Sequence, residues 1–212
     1  MGLLAVVLIR TAWLCDDAYI TFRTIDNFIN GYGLRWNVAE RVQTYTNPLW
    51  MFLLSGFYFV TREIYFTSIT VSIALSFLSV YLLVFQIAKS HFSALLVLII
   101  LIFSKAFIDF STSGLENPLT YLLIALFFLV YLKAKNDTTI FILTLIASLA
   151  TFNRIDTIYL FIPTLILLLW QNRSWKTVGL MFVGFFPFFI WELFSLIYYP
   201  TFRTSTSKKL IY

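Results

Sequence analysis

The sequence predicts an all-α integral membrane protein, a polytopic bundle of about seven transmembrane helices with a polar outer loop near its start. Three observations carry this. Mean hydropathy is +0.88, with 60% hydrophobic and 12% charged residues, a composition suited to helices in lipid rather than to a water-facing surface. The apolar residues form continuous runs (93–103, 119–132, 155–170), not the short alternating segments of a β-barrel. The polar residues are concentrated: of 15 basic and 10 acidic side chains, Asp16, Asp17, Arg23, Asp26, Arg35, Glu40 and Arg41 all fall between residues 15 and 48.

Composition also excludes several classes. The net charge of +5 does not indicate nucleic acid, because the basic residues are scattered or stand at the ends of apolar runs, as at cytoplasmic helix ends. The single cysteine, Cys15, rules out an internal disulfide. The single histidine, His91, rules out a multi-His or Cys/His zinc site. A metal would have to be held by carboxylates.

The first element, residues 1–14, is short for a hydrocarbon core of about 30 Å. It lacks the basic start and small-residue cleavage site of a signal peptide, so it reads as a first membrane helix with an abbreviated cytoplasmic start. Next comes the polar loop, about 15–48. Asp16 or Asp17 is expected to cap a helix running to about Asn30, whose apolar residues Tyr19, Phe22, Ile25, Phe28 and Ile29 form a face suited to lying along the membrane surface. Gly31 and Gly33 end that helix, and Pro48 begins the next.

Three apolar stretches follow (49–61, 64–88, 92–108) where alternation allows an even number of crossings. The first would span only about 20 Å as a helix, so it is expected to be interfacial or re-entrant, leaving Lys89 inside. Runs 117–132, 139–152, 157–170 and 177–199 then alternate, with Lys133 and Lys135, and Arg173 and Lys176, in cytoplasmic loops. This places 111–117, 153–156 and the tail after Tyr199 on the outer face with the polar loop, and the count reaches seven.

An adjacent carboxylate pair at the mouth of an apolar helix is a site hypothesis in its own right. The plain alternative is an ordinary Asp cap on an interfacial helix. The surrounding residues resemble a known family. Asp16-Asp17-Ala18-Tyr19-Ile20-Thr21-Phe22-Arg23, then Asn27-Phe28, Gly31-Tyr32-Gly33-Leu34, Trp36-Asn37, Glu40-Arg41-Val42 and Tyr45-Thr46-Asn47-Pro48-Leu49-Trp50 are similar to the first outer loop of bacterial GT-C glycosyltransferases. Within these the group of the terminal arabinofuranosyltransferases is the best match. Thr112 to Pro118 resembles that group's Ser-Gly-Met-Glu-Thr-Pro-Leu element, and Asn153-Arg154-Ile155-Asp156 its Thr-Arg-Pro-Asp-Gly element. Asn153 and Ile155 depart from the latter.

The resemblance implies a transferase using a polyprenyl-phosphate-linked sugar donor on the outer face of the bacterial inner membrane. Its acceptor would be a glycan, lipid or protein of the cell envelope. It also implies a GT-C-like transmembrane module whose first outer loop carries membrane-parallel helices and, at its start, the catalytic acid. Asp16 and Asp17 are then the catalytic candidates: one as base toward the acceptor hydroxyl, the other orienting it or helping hold a divalent cation. Arg23, Arg41 and Arg154 are phosphate candidates, since guanidinium pairs with phosphate oxygens; Lys105, Lys208 and Lys209 are weaker ones. Glu40, Thr46, Asn47, Glu116 and Asp156 complete the substrate-binding set. The family also carries further helices beyond this module, so residues 1–212 read as a single transmembrane unit whose tail, 200–212, begins a missing region.

Each of these residues has a plainer reading. Glu116 could simply meet a helix dipole, Arg154 and Asp156 could pair at a helix junction, and Glu40 and Arg41 could form an exposed ion pair. Glu192 must face the bundle, as structural partner or as part of the donor path. His91 fits an interfacial loop, and Trp13, Trp50, Trp170 and Trp175 fit aromatic belt anchors. Two other classes of protein compete with the enzyme. A transporter would show paired internal repeats, and none is evident; a truncated, non-catalytic membrane protein would use Asp16 and Asp17 for stability alone.

Overall fold

The computed structural model describes residues 1–133 and 136–199; Lys135, Lys208 and Lys209 lie outside them. The described residues contain no strand. Eleven α-helices follow one another: α1 (Gly2–Arg10), α2 (Asp16–Ile29), α3 (Pro48–Thr61), α4 (Ile64–Tyr81), α5 (His91–Phe103), α6 (Lys105–Phe110), α7 (Asn117–Tyr131), α8 (Asp137–Asn153), α9 (Ile158–Gln171), α10 (Trp175–Gly184) and α11 (Phe186–Tyr198). A π-helical segment, Leu82–Ile87, extends α4, and a 3-10 turn, Ile155–Thr157, precedes α9.

Several local expectations hold. The helix of the polar loop ends at Ile29, and Gly31 and Gly33 both adopt positive φ (84° and 89°) where the chain turns away. Pro48 opens α3, where its missing N–H costs no hydrogen bond. Two expectations are corrected. Neither aspartate is the cap of α2: Cys15 takes that position with extended backbone, and Asp16 and Asp17 occupy the first turn. Trp50 is not a belt anchor; it is fully buried, and its indole N–H donates to the carbonyl of Gly114 at 2.9 Å.

The apolar runs do not all become single helices. Run 92–108 breaks at Ser104, whose hydroxyl accepts from the N–H of Phe107 (3.3 Å) and restarts the chain as α6. Run 177–199 bends by 51° between α10 and α11, beside Pro187. Among the described residues, only Ile64–Ile87, at 24 residues, is by itself long and apolar enough to cross a membrane; at about 1.5 Å per residue it reaches about 36 Å. The bent α10–α11 pair would make a second span, and the other apolar helices are shorter. Helix length among the described residues therefore gives one span, or two with the bent pair, and the count of seven rests on the alternation of the apolar runs.

The main core gathers around α8, which packs on α3, α7, α9, α10 and α11. Leu143, Ala147 and Ala150 of α8 are buried there with Trp50, Met51 and Leu54 of α3 and Leu168 of α9. The first half of α3 is thus core, while Phe57, Phe59 and Val60 in its second half are exposed. On α4, Ser68, Ser72 and Ser76 recur every fourth residue and are fully buried; small side chains in such a row allow close backbone approach, and α4 packs extensively on α7. A smaller cluster joins Leu4 and Leu8 of α1 to Val80, Val84, Phe107 and Ile108.

Candidate functional site

The site begins with one tight loop. Residues 111–116 pass beneath the start of α2, where the backbone N–H of Cys15 donates to the carbonyl of Ser113 (2.9 Å). Gly114 has φ +82°, and a Cβ there would lie 2.7 Å from the Cβ of Ala18 and 2.8 Å from Leu14. Only glycine fits both the backbone and the space. With Trp50 holding the Gly114 carbonyl from the other side, the loop is clamped between α2 and α3. This sets Glu116, just ahead of α7, across from Asp17.

Glu116 is 3% exposed, yet its carboxylate is fully engaged. Asn47 Nδ2 donates to Oε2, and Arg154 Nη1 donates to Oε1, both at 2.9 Å. Thr21 Oγ1 donates to Asn47 Oδ1 at 3.4 Å, bringing α2 into the same network. Asn153, fully buried at the end of α8, donates to the Glu116 carbonyl (3.1 Å) and to Thr120 (3.0 Å). Arg154 Nε also bonds both carboxylate oxygens of Asp156, at 2.8 and 2.9 Å. These bonds, to Asp156 first and then to Glu116, raise the guanidinium above its ordinary pKa and keep it cationic.

Asp17, Thr21, Thr44, Tyr45, Thr46, Asn47, Glu116 and Arg154 line one cavity of about 310 Å³, with Ile20 and Leu115. Five of the sequence candidates therefore meet: Asp17, Thr46, Asn47, Glu116 and Arg154. The other five stand outside its lining. Asp16 is exposed on the first turn of α2. Arg23 lies over the ring of Trp36 (4.5 Å) and donates to its carbonyl (3.1 Å). Arg41 lies over Tyr198 (5.4 Å), and exposed Glu40 makes no ion pair with it among the described residues. Asp156 acts on the cavity through Arg154.

The sequence candidates left out Thr21, Thr44 and Tyr45. Thr21 was within reach, since it follows Asp17 by four residues and so lies on the same helix face. Tyr45 gave no such indication: its hydroxyl is buried against that of Tyr199 (3.0 Å), which donates to the carbonyl of Leu34 (2.7 Å). Burial raises both phenols, and carries that of Tyr45 well above its usual range. Thr44, Tyr45 and Thr46 also line a second cavity of about 360 Å³, bounded by Gln43, Trp191 and Glu192.

The residues offer little to a resident cation. No group of three or more His, Cys, Asp or Glu side chains that could hold a metal occurs among the described residues. The two carboxylates lining the first cavity are Asp17 and Glu116, and the latter is committed to Asn47 and Arg154. An ion there would depend mainly on substrate oxygens and water.

No family model matches the chain, and no solved structure matches it. Among curated proteins it is similar to the terminal β-(1→2)-arabinofuranosyltransferase of Mycobacterium tuberculosis, 26% identical over 216 residues that take in 92% of this chain and 34% of that protein. The chain thus spans about a third of the length of the curated relative it matches. The similarity supports a relationship of glycosyltransferase type.

Proposed function

We propose that this chain is a transmembrane module of a GT-C-type glycosyltransferase. It would move a sugar from a polyprenyl-phosphate donor to a cell-envelope glycan, lipid or protein on the outer face of the bacterial inner membrane. About seven crossings, with residues 15–48, 111–117 and 153–156 outside, belong to this reading. The observation that carries it is the single cavity lined by Asp17, Glu116, Asn47 and Arg154, drawn from three segments that the resemblance also singles out.

The chemistry follows from the side chains. The acceptor hydroxyl oxygen attacks the anomeric carbon of the donor sugar, and the bond from that carbon to the phosphate oxygen breaks. Polyprenyl phosphate leaves with the electron pair. Asp17, the cavity carboxylate with no hydrogen bond to Arg154 or Asn47, takes the hydroxyl proton. Arg154 steadies the departing phosphate: its Nε and Nη1 are used by Asp156 and Glu116, and Nη2 makes no hydrogen bond among the described residues. Glu116 and Asn47 position rather than react.

The test is sugar transfer in membranes carrying the wild-type chain, Asp16→Asn or Asp17→Asn, supplied with pooled polyprenyl-phosphate sugars. Asp17→Asn should abolish transfer at equal protein level, and Asp16→Asn should retain most of it. Donor binding by the purified chain gives a readout that precedes chemistry. Arg154→Gln should weaken it roughly tenfold to a hundredfold, the worth of one charge-assisted hydrogen bond. Full transfer by Asp17→Asn would sink the assignment.

A further inference from the structure

The second cavity, of about 360 Å³, falls at the lower end of the ~300–1,000 Å³ typical of small-molecule sites. The two cavities differ in charge. The first holds Arg154; the second has no Lys, Arg or His in its lining and contains the carboxylate of Glu192. That residue sits in α11, otherwise an apolar helix, where an ionisable group is costly and needs a partner. It is half-buried, and it makes no hydrogen bond or ion pair among the described residues. Beside it, Gln43 is fixed in orientation: its Oε1 accepts from Ser195 Oγ (2.8 Å), and its Nε2 donates to the Tyr45 carbonyl (3.1 Å). Trp191 supplies an apolar wall, itself packed against Tyr45, Phe52, Phe152 and Phe194 at centroid distances of 5.4–6.2 Å.

A cavity without cations repels a phosphate-bearing donor and suits a neutral ligand rich in hydroxyl groups. A carboxylate accepts from paired sugar hydroxyls, threonine hydroxyls complete the polar side, and an aromatic ring covers the apolar C–H faces. We infer that the cavity bounded by Gln43, Trp191 and Glu192 binds the acceptor as a neutral glycan, delivering its reacting hydroxyl over Thr44 and Thr46 to Asp17. The inference rests on the transferase reading for its last step, and the binding step stands apart from it. Thr44 and Thr46 are shared by both cavities and exposed, so they form the low divider such a hydroxyl has to cross. Glu192 orients the glycan and takes no proton from it.

The test uses the purified full chain in lipid nanodiscs, with methyl glycosides of neutral tetrasaccharides (arabino-, manno- and gluco-configured) as probes. Binding is followed by saturation-transfer NMR and titration. At least one probe should bind the wild type, and Glu192→Gln should weaken it about tenfold or more, as expected for a charge-assisted hydrogen bond. Glu192→Leu, with an unchanged melting temperature, should bind still more weakly. In transfer assays Glu192→Gln should raise KM for acceptor and leave KM for donor unchanged, a split that a purely structural role would not produce. The inference is overturned if no tetrasaccharide binds the wild type, or if both Glu192 variants bind as the wild type does. Glu192-dependent binding with full transfer by Asp17→Asn would leave this site standing and remove the catalytic assignment. Lost transfer in Asp17→Asn with acceptor KM unmoved in Glu192→Gln would do the reverse.

Discussion

Glu116 provides the sharpest test of whether the hydrogen-bond network holds the site. In Glu116→Ala, Asn47 Nδ2 loses its acceptor at a position only 3% exposed. A charge-assisted hydrogen bond with a buried donor left unpaired costs about 1.5–3 kcal/mol. The Arg154 ion pair adds only about 0–1 kcal/mol, because the Arg154 side chain is 47% exposed and Asp156 still holds it. The total is roughly 2–4 kcal/mol, a fall in melting temperature of roughly 4–15 °C for a chain of this length. Glu116→Gln should behave differently. Its Oε1 can still accept from Arg154. If the Asn47 amide turns over, Asn47 Oδ1 faces the new Nε2, and the Thr21 hydroxyl rotates from donor to acceptor. The Asn47 amide then keeps both its partners, and the loss should stay below about 1 kcal/mol. Both variants are measured by intrinsic tryptophan fluorescence during heating in detergent. Equal losses in the two, or no loss in Glu116→Ala, would refute the network as the element that orders the site.

Three further outcomes follow from single features. Gly114→Ala combines left-handed strain of about 1–2 kcal/mol with overpacking of about 1–3 kcal/mol against Ala18 and Leu14; it should lower the melting temperature at least as much as Glu116→Ala and lose transfer as the start of α2 shifts. Tyr45→Phe removes the hydroxyl contact with Tyr199 while leaving that residue bonded to Leu34. The cost should be about 0.5–1.5 kcal/mol, with faster amide exchange in residues 43–46. The pH dependence has a definite sign: the folded-state phenols of Tyr45 and Tyr199 are raised, so their contribution is complete below the ordinary phenol pKa of about 10 and is lost as pH rises beyond it. Thermal melts across pH 9–12 should show a steep alkaline loss, shallower in Tyr45→Phe.

The helical class and many element boundaries were legible because apolar runs, Gly31, Gly33 and Pro48 act locally. The division of those runs into helices was not. Run length says how much apolar sequence is available, not whether it stays one helix, and a single serine hydroxyl at Ser104 or a bend beside Pro187 divides it. Trp50 shows the same limit from the other side. Tryptophan at the start of an apolar run reads as an interfacial anchor, but the nearby Gly114 carbonyl, 64 residues away in sequence, draws its N–H into the core. Asn153 looked like a departure from a motif. In the fold it fastens the end of α8 to the Glu116 backbone, a role that only the approach of α7 to α8 could reveal.

The candidate site was legible as a set of residues and not as an arrangement, and the aspartate pair shows why. Adjacent residues on a helix point about 100° apart, so Asp16 and Asp17 cannot share one face. The face carrying Asp17 continues through Ile20 and Thr21, three and four residues on, and all three line the cavity beside Glu116. Arg23, seven residues after Asp16, looks outward to Trp36 in the polar loop. Arg23, a phosphate candidate in the sequence, therefore sits apart from the cavity. The cation of the cavity is Arg154, the residue that ends α8, and it is held there by Glu116, which the glycine-clamped loop seats. Asp17 of α2 and Arg154 after α8 line one cavity with Glu116, which the loop 111–116 seats, so Gly114, with no chemistry of its own, should control activity as strongly as Asp17.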